Sequence, residues 1–170
     1  FGKVLMLDPV SPLGLQMNSS QVGVITAMKT DPDVCFAGLA SAAPTLFRPE
    51  TMVAGQMPQF ADATSPAQRE LFKKIVERTR VLSDGIWFGT PHNLGLEWDS
   101  GALAKRMPEM THEHLILFGK MDYWIPREHL DVMAAQLPNA KLEIFPYVGH
   151  SMNIEQPLLF ARVFGDFLRA

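Results

Sequence analysis

The chain has one cysteine, Cys35, among 170 residues, so it can form no internal disulfide and holds no C-x-x-C pair. That fits a reducing, cytoplasmic compartment. No H-E-x-x-H or other ligand spacing occurs, and neither a metal nor another cofactor is expected. Basic residues are not in excess: 15 Lys and Arg stand against 18 Asp and Glu, for a net charge of −3. This balance argues against nucleic acid or an anionic membrane surface as a partner. No apolar run approaches the roughly 20 residues that a membrane helix needs. Internal repeats and low-complexity segments are absent as well. What remains is 47% apolar and 19% charged, the composition of a globular domain with a core.

Periodicity and punctuation divide the chain. Lys3 to Leu7 is a short apolar run closed by Asp8-Pro9, the pattern of a buried strand and a turn. With no lead-in before it, the chain is expected to begin in the middle of a fold. Residues 9 to 20 read as loop. Val22 to Lys29 and Asp33 to Ser41 read as short helices, with Asp31 or Asp33 as an N-cap. Pro44, Pro49 and Pro58 interrupt residues 44 to 63, which read as irregular with short turns. Pro66 to Leu82 is the clearest helix, capped by Ser65, with Glu70 near capping-box distance. Leu71, Ile75, Arg78 and Leu82, flanked by Phe72, Val76 and Thr79, keep to its helical spacing. Residues 84 to 98 read as an aromatic loop, and Asp99 to Met107 as a short helix.

The rest of the chain alternates regularly: strand His114 to Gly119, helix Arg127 to Leu137, strand Lys141 to Pro146, helix Pro157 to Leu168. Leu159, Phe160, Val163, Phe164, Phe167 and Leu168 form the buried stripe expected of the last helix. Strand, helix, strand, helix with short links predicts an α/β fold with a parallel sheet. Residues 1–14 and 109–170 are assigned to that sheet and its helices. Residues 15–108 are assigned to a mostly helical insertion.

In open parallel sheets, ligands bind beyond the C-terminal strand ends. Asp122 lies just past the 114–119 strand, and His150 just past the 141–146 strand. A carboxylate beside an imidazole can fix its tautomer and stabilise its charged form while the ring moves a proton. Asp122 and His150 are therefore the candidate catalytic pair. Asp8 also comes just after a strand and competes for the acid role.

Gly119-Lys120-Met121-Asp122 with Ile125-Pro126, and Gly149-His150-Ser151 with Glu155-Gln156-Pro157, resemble the acid turn and histidine loop of the α/β-hydrolase superfamily. The closing Phe164-Gly165-Asp166-Phe167-Leu168 is also similar. The resemblance is dense over 112–170, extends to Val4–Pro9, and is weak through 15–108, where the family inserts a variable helical cap. It implies a cofactor-free serine-type hydrolase acting on an ester, lactone, amide or carbon–carbon bond of a small, partly apolar substrate. The family's order is Ser, acid, His. The elbow G-x-S-x-G is absent: no serine here has glycine at both positions two away. The resemblance thus implies a C-terminal portion. Its expected partner is the N-terminal part of the same hydrolase, as a separate chain or a cleaved segment. Dehalogenases and epoxide hydrolases, with an Asp nucleophile, share the fold, as do non-enzymatic small-molecule receptors.

Trp124, two residues past the acid, is assigned to substrate binding with Trp87, Phe88, Trp98 and Met152. Met52, Met57, Met107 and Met110 would extend an adaptable wall if they face a cavity. Ser151 reads as a loop hydrogen-bonder, and Glu155 as a cap or orienter of the last helix. His112 and His114 flank a strand start, His92 reads as a solvent-facing loop residue, and Cys35 as a small buried one.

Overall fold

A computed structural model describes residues 2–170. Among these residues three parallel strands form one sheet in the order β1 (Lys3–Leu7), β2 (Glu113–Gly119), β3 (Ala140–Phe145). Lys3 pairs with Glu113 and His114 with Ala140, so all three strands end at the same edge. β2 is central, and six of its seven residues are buried. An unbroken Leu-Ile-Leu-Phe run suits a strand covered on both faces.

Side-chain alternation along β2 supplies two cores. Ile116 and Phe118 face helix α5 (Arg127–Gln136) and pack with its Leu130 and Met133. Leu115 and Leu117 face the opposite way, onto Val148, Met152 and the last helix, α7 (Pro157–Arg169). The expected stripe of α7 is only half covered. Leu159, Phe160, Val163 and Phe167 pack on the core, while Phe164 and Leu168 stay exposed. The apolar face of this helix is wider than the sheet surface beneath it.

Between the paired strands β1 and β2 the chain runs through helices. They are α1 (Ser19–Thr30), α2 (Pro32–Ala42), α3 (Pro66–Arg80) and α4 (Thr90–Ser100). Asp31 caps α2, accepting from the N–H groups of Asp33 and Val34. Ser65 caps α3, but its capping-box partner is Gln68, at the third helical position, and not Glu70. α3 buries Phe72 and Val76 and leaves Leu71 exposed, so its core stripe lies one residue further along than the Leu71–Ile75 row. Phe36, Phe47, Phe60 and Phe72 form an aromatic cluster with ring centroids 4.7–5.9 Å apart. Each such pair adds about 0.5–1.5 kcal/mol beyond burial alone.

Residues 84–98 are not a loop. Gly85–Gly89 is a π-helical turn that leads directly into α4. Pro91 is the second residue of α4 and directly follows the π-helical turn, whose irregular ladder is where a residue without an N–H can be accommodated. The helix expected over Asp99–Met107 is displaced: α4 ends at Ser100, Gly101 adopts left-handed φ (59°), and a 3₁₀ stretch comes next at Ala104–Glu109. One further helix, α6 (Met152–Glu155), precedes α7. Its Ile154 packs into the core of the helical insertion.

The strand ends meet tightly. A Cβ on Gly119 would collide with the backbone carbonyls of Val148 and Gly149, so only glycine fits where β2 passes the histidine loop. Gly119→Ala should lower the unfolding free energy by about 1–3 kcal/mol, read from urea denaturation, because backbone must move to admit the methyl group.

Candidate active site

Asp122 and His150 meet at this edge. The Nδ1 atom of His150 lies 2.9 Å from Oδ2 of Asp122, across 28 residues of sequence. The Asp122 side chain is fully buried, while the His150 side chain keeps 29% of its surface exposed. The other carboxylate oxygen, Oδ1, accepts from the backbone N–H of Trp124 at 2.6 Å and of Ile125 at 3.3 Å. The turn is closed by the Asp122 N–H donating to the Gly119 carbonyl at 2.9 Å. Both oxygens are thus engaged, and a buried carboxylate needs such partners. With Nδ1 held by Asp122, Nε2 is the ring nitrogen left for proton chemistry.

The histidine loop is anchored from the helical insertion. Oε1 of the buried Glu155 accepts from the backbone N–H of Thr45 at 3.0 Å and from its hydroxyl at 2.7 Å. Oε2 accepts from the Gly149 N–H at 2.8 Å. The Ser151 N–H donates to the Ala42 carbonyl at 3.0 Å. Burial pushes the Glu155 carboxyl up, against the lowering effect of these hydrogen bonds. Its reach across to Thr45, 110 residues away, leaves no local mark in the sequence.

Asp8 is a third buried acid at the same edge, but it makes no hydrogen bond to His150. Its Oδ1 accepts from the Gly119 N–H at 2.9 Å, and its Oδ2 has no protein partner. Its backbone sits at φ 40°, a conformation rare for any residue but glycine and better tolerated by Asp and Asn. Burial pushes its carboxyl up to about 7, helped by the negative charge of Asp122 and opposed by the Gly119 N–H. His150 feels these acids in turn. Burial disfavours its charged form, but the hydrogen bond and charge of Asp122, with the charges of Asp8 and Glu155, win and raise its pKa above the ordinary imidazole value.

The remaining candidates scatter. Trp124 stacks on His150, with ring centroids 5.6 Å apart and planes 26° apart. Trp124 and the buried Trp87 line an apolar cavity of about 250 Å³ with Met28, Leu39 and Ile86. Phe88 lines a separate groove on the insertion, together with His92. His92 is exposed, though it stands on α4 and not on a loop. Trp98 stacks on His129 of α5. Met152 is 1% exposed and belongs to the core under the sheet, so it is not at a cavity wall. Met107 is likewise core, and Met57 and Met110 are exposed. Cys35 is buried, and burial pushes its thiol up, away from the reactive thiolate. Among the described residues no three His, Cys, Asp or Glu side chains converge as a metal site. No helix of the described residues is long and apolar enough to cross a membrane.

No family model matches the chain. It is 33% identical over 73 residues to 2-hydroxy-6-oxononadienedioate/2-hydroxy-6-oxononatrienedioate hydrolase of Comamonas testosteroni, an alignment covering 43% of this chain and 26% of that protein. The esterase of Exiguobacterium antarcticum superposes with a TM-score of 0.63 at 18% identity, over 99% of this chain and 57% of that one. The enol-lactonase of Burkholderia xenovorans LB400 does so at 0.60 and 16%, over 100% and 57%. The chain has the α/β-hydrolase fold. It spans less than two thirds of the length of each of these relatives. In this fold Asp122 and His150 stand just past the ends of the adjacent strands β2 and β3.

Asp8 gives a pH test of the site's electrostatics. The folded chain keeps a proton on Asp8 up to about pH 7, whereas an ordinary aspartate releases it near 3.8. The folded state therefore binds more protons across that window, and stability falls as pH rises through it. Asp8→Asn keeps the acceptor for Gly119 and cannot ionise. Its melting temperature should exceed the parent's by roughly 2–5 °C at pH 8, with the gain vanishing toward pH 4 in thermal melts.

Proposed function

We propose that this chain supplies the base and the orienting acid of a serine-type hydrolase, with the serine on polypeptide that precedes these residues. The observation that carries the proposal is the Asp122–His150 hydrogen bond, made by a fully buried carboxylate to an imidazole that remains partly open. No serine in the chain sits in a G-x-S-x-G elbow, and this reading therefore takes the nucleophile from elsewhere. The greater length of the relatives leaves room for such a segment. In this reading residues 15–108 act as a cap over the site.

In this reading each group has its own step. His150 Nε2 takes the proton of the serine hydroxyl as its oxygen attacks a carbonyl carbon. Asp122 holds Nδ1–H and stabilises the imidazolium that forms, without taking the proton itself. His150 then returns the proton to the leaving oxygen, nitrogen or carbon. Water, deprotonated by the same nitrogen, releases the acyl group and regenerates the serine. The curated relative is named a hydrolase, and the two structural neighbours are named an esterase and an enol-lactonase. The apolar cavity behind Trp124 suits a small substrate with an apolar part.

The test is turnover of a p-nitrophenyl ester by this chain together with its nucleophile-bearing segment. His150→Ala should abolish it, and Asp122→Asn should lower kcat/KM by about 10²–10⁴-fold. The base must be neutral to act, and its pKa is raised, so kcat/KM should climb with pH through a midpoint above the ordinary imidazole value. Asp122→Asn should move that midpoint down. Unaltered turnover in His150→Ala would remove His150 from the mechanism, and turnover of a haloalkane but no ester would favour an Asp nucleophile.

A further inference from the structure

One side chain at this site touches more than a cavity wall would. The backbone N–H of Trp124 donates to Asp122. Its indole is stacked, offset and inclined by 26°, beside the ring of His150, with centroids 5.6 Å apart. Its Nε1–H donates to Oγ of Ser41 on α2 at 2.9 Å, and the Ser41 hydroxyl donates onward to the Gly38 carbonyl at 2.6 Å. A single residue thus contacts the acid, the base and the helical insertion.

The dyad needs such a brace. The one hydrogen bond at Nδ1 fixes where the imidazole sits but leaves the ring free to rock about the Nδ1–Oδ2 line. Rocking swings Nε2, the nitrogen that has to meet the nucleophile. A flat aromatic face stacked on the ring removes that freedom. The indole can do so because it is pinned at both ends, by its backbone at the acid turn and by its ring nitrogen at Ser41. A stacked indole also favours the charged imidazole electrostatically, since the ring face is negative.

We propose that Trp124 is the positioning residue of the Asp122–His150 pair, holding the imidazole plane fixed and tying it to α2 through Ser41. This rests on the reading of His150 as the base. It goes beyond a substrate-lining role, in which Trp124 would act on the ligand and leave the histidine alone.

The test is made on the His150 Cε1–H signal in pH-titration NMR of the full polypeptide, a readout independent of turnover. The carboxyls facing His150, namely Asp122, Asp8 and Glu155, are unchanged in every variant. Trp124→Leu should erase the ring-current displacement of this signal and lower its titration midpoint by about half a unit. Trp124→Phe keeps an aromatic face but loses the Ser41 bond, and should fall between Leu and the parent. Ser41→Ala leaves the apolar packing intact and should shrink the ring-current displacement, which keeps the test decisive if Trp124→Leu does not fold. Where turnover is measurable, kcat should fall about tenfold or more in Trp124→Leu with KM changed less than threefold. A Trp124→Leu or Ser41→Ala protein with the parent's His150 shift and midpoint overturns the proposal. So does a rise in KM at constant kcat, the mark of a wall residue. Absence of all ester turnover with the NMR effects intact would count against the hydrolase reading and not against the brace.

Discussion

The approach of the β2 and β3 ends is the constraint on which the site depends. Gly119 and the carbonyls of Val148 and Gly149 stand so close that no side chain fits between them. That contact brings the acid turn and the histidine loop within one hydrogen bond of each other. Two parallel strands ending level supply the coarse placement, and the missing methyl groups supply the last few ångströms. Gly149 repeats the device on its other side, packed against Pro44 of the insertion.

Three buried carboxyls then surround one imidazole, each with a different task. Asp122 is saturated with hydrogen bonds and faces the ring directly. Glu155 binds loop to insertion. Asp8 caps Gly119 and keeps its proton to about neutrality, because one backbone N–H does not offset its burial beside other acids. Three charges in so small a volume would repel one another, and protonation of one relieves the conflict at no cost in geometry.

Much of this was legible in the chain. The strand runs, the Ser65 and Asp31 caps and the two glycine-flanked turns all carry local signals, because a strand end or a helix start is decided by a handful of adjacent residues. The acid–histidine pair could be read because each residue sits just beyond a recognisable strand. The 84–98 segment misled, since Gly85, Gly89, Pro91 and Gly95 are poor helix formers, and tertiary contacts offset this, among them the buried Trp87, whose indole N–H donates to the Thr79 carbonyl. The bonds from Glu155 to Thr45 and from Trp124 to Ser41 were invisible for another reason. They join residues 110 and 83 positions apart, and no periodicity encodes a pairing of that range.

The anchoring of the histidine loop to residues 41–45 bears on modularity. Backbone and side-chain bonds join Ser41, Ala42 and Thr45 to Trp124, Ser151 and Glu155. The helices between β1 and β2 are therefore fastened to the site in the middle of their run as well as at the two strand ends. A foreign helical segment grafted between β1 and β2 would arrive without acceptors for the Ser151 N–H and the Trp124 indole. Any replacement for residues 41–45 would have to supply those acceptors again to keep the 122–124 and 149–155 turns in place.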